Sequence, residues 1–147
     1  MVAGSTELPV VSFFAASTVR FTASPRRVLI VEDDLDSVRI LAELVKHIGH
    51  DVQYAINGYA ALEIARRFKP HFVLLDLGLP GMDGYEVCAQ LKQAPDPDLK
   101  RSRVIVLSAY GQDQHRARTR AAGCELHLVK PVSPQALFDV LESSRPF

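Results

Sequence analysis

The feature that most restricts the fold of this chain is an alternation beginning at Arg26, in which short apolar runs of strand length take turns with stretches of helical apolar spacing. "RVLIV" reads as a buried strand. "LDSVRILAELVKHIGH" then puts Leu35, Val38, Leu41, Ala42, Val45 and Ile48 on one helical face, with Gly49 as the stop. "DVQYAI" is a shorter strand, and Asn57-Gly58 opens a helix carrying Ala61, Leu62, Ala65 and Phe68, which Pro70 ends. "HFVLLD" is apolar on both faces, as in the middle of a parallel sheet covered by helices on each side. "YEVCAQLK" is the third helix, and "APDPDLKRS" reads as a polar, proline-broken connection. "VIVLS", "DQHRARTRAA", "ELHLV" and "SPQALFDVLES" complete five strand–helix units, with Ser133 and Pro134 at the cap and first turn of the last helix. Such an alternation predicts an α/β protein with a doubly wound, five-stranded parallel sheet, right-handed crossovers and five helices.

The 147 residues suit one domain with a core of its own. Residues 1–24 carry no sustained period and end at Ser24-Pro25, so they read as a tail or linker ahead of a domain over 25–147. Phe13 and Phe14 are the tail's candidates for docking on the domain or on a partner. Seventeen basic and seventeen acidic residues cancel, which argues against direct nucleic-acid binding. The apolar run in "LPVVSFFAAS" is far too short for a membrane span and follows Glu7 rather than a basic region, so neither a signal peptide nor a transmembrane helix is expected. Cys88 and Cys124 lie far apart without a Cys-x-x-Cys pair. They are expected to stay unpaired and without a redox role, in a reducing cytoplasm.

Four of the predicted strands end in a chemically capable side chain: Glu32 and Asp33 after the first, Asp76 after the third, Ser108 after the fourth, Lys130 after the fifth. Open α/β sheets bind ligands beyond these carboxyl ends, at the switch point, which for the flavodoxin-like order 2-1-3-4-5 lies between strands one and three. That order gathers Glu32, Asp33 and Asp76. Three neighbouring carboxylates repel one another unless a cation sits among them, and hard oxygen donors suit Mg²⁺, with Mn²⁺ as the alternative, better than zinc. Asp76, held on a rigid buried strand, is then placed as a nucleophile, while Lys130 and Ser108 suit the oxygens of a phosphoryl group in transfer. Taken singly, each of these residues reads more simply as a solvated loop residue; their shared sheet edge makes them informative.

Those residues carry a resemblance. "VLIVEDD", "LLDLGLPGMDGYEV", "VLSA" and "LVKP", in that order over roughly residues 26–143, resemble the receiver domain of two-component response regulators. The resemblance implies a phosphorelay receiver that takes a phosphoryl group from a phosphohistidine of a sensor histidine kinase or phosphotransfer protein onto Asp76, and switches binding to a downstream target. It catalyses only its own phosphorylation and dephosphorylation. It further implies Mg²⁺ held by Asp33, Asp76 and the backbone carbonyl of Gly78, with Glu32 acting through water, Asp34 peripheral, and a cis Lys130-Pro131 bond. Ser108 and the position of His127, usually Tyr or Phe, would form the switch. Gly78 and Tyr110 would tune the phosphate lifetime toward slow loss. The same resemblance raises a homodimer through the face of helix four, strand five and helix five. Since the chain ends soon after the fifth helix, a stand-alone regulator or the terminal receiver of a hybrid histidine kinase is expected.

Other polar residues read more plainly. His47 and His50 flank Gly49 at a helix end, where a cation favours the dipole. Arg116, Arg118 and Arg120 spread around their predicted helix as a solvated or partner-facing surface. A Mg²⁺-dependent hydrolase of small phosphate esters and a phosphate-independent interaction module are the rival functions. The first would carry its nucleophile after strand one under a cap that makes a substrate pocket, whereas the acid placed here as nucleophile ends strand three and no cap is read; the second leaves the acid, hydroxyl and lysine set without a purpose.

Overall fold

The computed structural model of the chain describes residues 21–79, 81–109, 121–124 and 126–142. The five strands are β1 (Arg27–Val31), β2 (Asp51–Ala55), β3 (Phe72–Asp76), β4 (Arg103–Ser108) and β5 (Leu126–Val129). Among the described residues the helices are α1 (Leu35–Ile48), α2 (Gly58–Phe68), α3 (Gly84–Gln93), α4 (Pro97–Arg101) and α5 (Pro134–Glu142). All strand pairs are parallel and the order is β2-β1-β3-β4-β5, as the alternation requires. Most of the helix predicted over "DQHRARTRAA", with Arg116, Arg118 and Arg120, lies outside the described residues, as does Tyr110. No helix among the described residues is long and apolar enough to cross a membrane.

Alternation along the strands builds two cores. Val28, Ile30, Phe72, Leu74, Ile105 and Leu107 face α1 and α5, while Leu29, Val31, Val73, Leu75, Val104 and Val106 face α2, α3 and α4. The β1, β3 and β4 residues in both sets are almost wholly buried, so the central strands form a rigid platform whose carboxyl ends are fixed in space.

Helix ends follow the local chemistry. Asn57 caps α2 by accepting from the Ala60 amide at 2.8 Å, Asp83 caps α3 through Glu86 at 2.9 Å, and Ser133 caps α5 through Ala136 at 3.0 Å. α1 stops at Gly49, whose φ of 116° is left-handed and lets its amide reach the carbonyls of Val45 and Lys46. Ahead of β1, the Thr22 amide donates to the Ile48 carbonyl at 2.7 Å, and Phe21 tilts against His47 with ring centroids 5.1 Å apart.

The structure corrects four expectations. The "APDPDLKRS" connection contains the short helix α4, started by Asp96, whose side chain accepts from the Asp98 amide, and by Pro97 in the first turn. Leu35 is 57% exposed at the start of α1, and Leu44 takes the buried place in that face. His50 is not a solvated cation at a helix end: its side chain is buried, and Nδ1 accepts from the Arg26 amide at 3.0 Å, tying the entry of β1 to the exit of α1. Burial holds its pKa below the ordinary 6.5, helped by the Arg26 charge and opposed by Glu142 and Asp51. Most consequentially, Cys88 and Cys124 are joined in a disulfide, with Cα atoms 6.2 Å apart across 36 residues of sequence, where unpaired thiols were expected. Residues 121–124 lead into β5 over α3, and this proximity is invisible in the spacing of the cysteines.

Candidate metal centre

β1 and β3 are direct neighbours, with Val31 opposite Leu75, so the residues that follow them emerge side by side at the sheet's carboxyl edge. Glu32, Asp33 and Asp76 there each offer a carboxylate oxygen within 4.8 Å of the others. They differ in burial: Glu32 is 3% exposed, Asp76 intermediate and Asp33 exposed. Asp34, the residue before α1, takes no part in the cluster; its carboxylate accepts from the Ser37 hydroxyl at 2.7 Å, and that bond lowers its pKa.

Lys130 closes the arrangement. Its Nζ donates to Asp76 Oδ1 at 2.9 Å and lies 3.4 Å from Glu32 Oε1. Burial works against its charge, yet the hydrogen bond and negative charge of Asp76, together with Glu32, outweigh it and raise the lysine pKa above the ordinary 10.5. Glu32 is pushed up from 4.5, chiefly by burial and further by the Asp76 charge, against the Asp34 amide, which donates to its Oε2 at 3.2 Å, and against Lys130. A buried acid with a raised pKa beside two further acids is poised to receive a cation, because a divalent ion offsets both the burial and the Asp76 charge that raise it.

Three neighbours shape the approach. Ser108, 8% exposed, ends β4 one residue beyond Leu107, which lies opposite Asp76, and its carbonyl accepts from the Lys130 amide at 2.8 Å. Gly84 starts α3 so close to the acid loop that a Cβ there would stand 2.9 Å from Leu77 Cδ2 and 3.3 Å from the Asp76 carbonyl. The start of α3 is thereby packed directly against the end of β3. At Gly78 a Cβ would point toward Asp76 Oδ2 at 3.9 Å, so a side chain at that position would overhang the carboxylate and its absence leaves the acid open. The Lys130-Pro131 peptide is cis. His127 lies within β5 opposite Val106 and is half-buried.

The cluster is built of oxygen donors, which fits a hard divalent cation such as Mg²⁺; Glu32, Asp33 and Asp76 are the side chains that would hold it. The sequence reading missed the wall beside this site. A groove of about 410 Å³ runs from Glu32 and Lys130 along Ile40, Leu41, Leu44, Ala109, Pro131 and Val132. Ile40 is 68% exposed, and an isoleucine outside the buried stripe of α1 was the available signal.

A doubly wound sheet with a cluster of acids at its switch point defines a class of α/β protein in which the strand ends carry the chemistry. The chain belongs to the response regulator receiver domain family, whose sequence model matches residues 28–142, and it is thus a signalling domain of two-component systems. Polar-differentiation response regulator DivK of Brucella anthropi is 32% identical over 119 residues, which is 81% of this chain and 95% of that protein. The receiver domain of a DNA-binding response regulator from Colwellia psychrerythraea is 27% identical with a TM-score of 0.72, over 80% of this chain and 95% of that one. Chemotaxis protein CheY4 of Vibrio cholerae, 22% identical, superposes with a TM-score of 0.76 over 82% of this chain and 98% of its own, a likeness of fold.

Proposed function

We propose that this receiver accepts a phosphoryl group from a phosphohistidine onto Asp76 and uses the resulting change to alter partner binding. The observation that carries the reading is the double contact of Lys130 Nζ with Asp76 and Glu32 beside the three clustered acids. A bound Mg²⁺ would supply charge neutralisation for the phosphoryl oxygens. Asp76 Oδ attacks phosphorus in line, and the imidazole of the donor leaves as the phosphorus–nitrogen bond breaks. Lys130, already fixed at 2.9 Å from Asp76, holds charge that develops on the transferred group, and the Ser108 hydroxyl donates a second hydrogen bond to it. Asp33 and Glu32 keep the site anionic until a cation is present, so the nucleophile and its counter-charges are positioned before the donor arrives.

The apolar groove along Ile40, Leu41 and Leu44 opens beside the acids and suits a helix of the histidine-bearing donor, a sensor kinase or phosphotransfer protein. Ser108 and His127 form the switch, Gly78 and Tyr110 set a long phosphate lifetime, and the output is binding of a downstream protein by a stand-alone regulator or hybrid-kinase receiver. A homodimer through the face that includes β5 and α5 belongs to the same reading, and the place of action is the cytoplasm. Phosphotransfer profiling against a panel of histidine kinases tests it: rapid, Mg²⁺-dependent transfer from one or a few kinases is expected. Turnover of small phosphate esters with no transfer from any phosphohistidine would replace this reading with a hydrolase.

A further inference from the structure

The sulfurs of Cys88 and Cys124 join two segments that each lead to the acid site. Cys88 lies on α3, whose first residue is pressed against Leu77 and the Asp76 carbonyl. Cys124 lies two residues before Leu126, where β5 begins, and β5 delivers Lys130. The link therefore closes a ring: from Asp76 along the chain to Cys88, across the sulfurs, from Cys124 to Lys130, and back through the 2.9 Å contact of Nζ with Asp76. The two halves of this ring differ in rigidity. α3 is anchored by fully buried Val87 and Leu91, whereas β5 is a four-residue strand at the edge of the sheet, paired with β4 alone among the described residues, with no buried residue. A cross-link between a firm helix and a weakly held edge strand acts mostly on the strand.

We propose that Cys88 and Cys124 are a reversible modification site, a thiol pair whose closed form pins the strand that carries Lys130 to α3 and whose open form releases it. Closing is thiol–disulfide exchange with a disulfide of the glutathione or dithiol-protein class. One cysteine thiolate attacks that disulfide and expels a thiol, and the second cysteine thiolate then displaces the other thiol as the Cys88–Cys124 bond forms. The two cysteines lose two electrons and two protons, the donor disulfide becomes two thiols, and opening is the reverse. Both cysteines are buried, at 0% and 1% exposed, and the Lys92 side chain overlies Gly123, its Cγ 2.8 Å from where a Cβ on that residue would stand. Exchange therefore follows local opening of residues 121–124, whose left-handed Gly123 supplies a turn beside the bridge.

The consequence for Lys130 chemistry rests on the receiver reading; the site itself does not. The native chain is equilibrated in reduced and in oxidised glutathione, its free thiols are trapped and mapped, and amide exchange is followed across residues 126–130. Expected are two trapped thiols in the reduced buffer, none in the oxidised one, and exchange over 126–130 about tenfold faster in the open form while β1 is unchanged. The Cys88→Ser, Cys124→Ser double variant is expected to match the open form in both buffers, and the reduced native chain gives the same comparison without substitution. Thiols that stay free in oxidised glutathione, or a bridge that survives reduced glutathione, overturn the site, and equal exchange in the two states overturns the pinning. Labelling of Asp76 by acetyl phosphate at different rates in the two states supports the link to Lys130, and equal rates remove it. Failure to label Asp76 in either state overturns the receiver chemistry and with it that link, while the thiol and exchange results decide the bridge by themselves.

Discussion

Replacing Asp33 by Asn keeps the side chain's shape and removes one of three negative charges whose oxygens lie within 4.8 Å of one another. Each such pair repels by about 0.9 kcal/mol in bulk water and about 3.5 kcal/mol at an effective dielectric of 20. Asp33 is exposed, so the watery end of that range applies, and its two repulsions with Glu32 and Asp76 sum to about 1–2 kcal/mol. Lys130, held against Glu32 and Asp76, lies near enough to Asp33 to offset about 0.5 kcal/mol of this, which keeps the net at the lower end of that range. In chelator at low salt, urea unfolding of Asp33→Asn should therefore show about 1–2 kcal/mol more stability than the native chain. Magnesium should invert the order. At a hundredfold excess over its dissociation constant the native chain gains about 2.7 kcal/mol, and the variant, missing a ligand, gains far less. A variant that is less stable in chelator, or that gains as much from Mg²⁺ as the native chain, would refute the repulsion argument.

Two further outcomes follow from the geometry. His50 has a folded-state pKa below the ordinary 6.5, chiefly through burial, so between those values the unfolded chain binds more protons than the folded one. The His50 contribution to stability should be flat above 6.5, fall as pH drops below it by at most about 1.4 kcal/mol per pH unit, and level off once folded His50 is protonated; His71, whose pKa burial also lowers, adds a fall of its own in the same direction, so a His50→Gln variant should keep a pH slope in chemical denaturation but a shallower one. Ile40→Ala should leave stability within about 0.5 kcal/mol, since the residue is 68% exposed, yet slow phosphotransfer from a protein donor and not from acetyl phosphate. Equal slowing with both donors would mean the groove acts on the site and not on docking.

Much of this molecule could be read from periodicity. β1, β3 and β4 are apolar on both faces because both faces are covered, and their parallel order turns sequence positions 32, 33, 76, 108 and 130 into neighbours at one edge. That is why the acids and the lysine were legible without coordinates. The misses share a cause, which is that they depend on space and not on period. α4 spans five residues, too few to show a helical repeat, although Asp96-Pro97 spells a cap and a first turn. Leu35 fits the helical stripe but stands in the first turn, beyond the reach of the sheet. His50 looked like a helix-end cation because nothing in the sequence shows that the Arg26 amide needs an acceptor there. The cysteine pairing is set by how residues 121–124 pass over α3, which no spacing rule contains.

The central claim is that folding presents Asp76 as a phosphoryl acceptor beside a divalent ion. Intact-mass and peptide mapping after exposure to acetyl phosphate test it directly. The account expects one phosphoryl group, confined to the peptide containing Asp76, dependent on Mg²⁺, labile as an acyl phosphate is, and absent from Asp76→Asn. A label that persists in Asp76→Asn, sits on another residue, or forms equally well in chelator would contradict it.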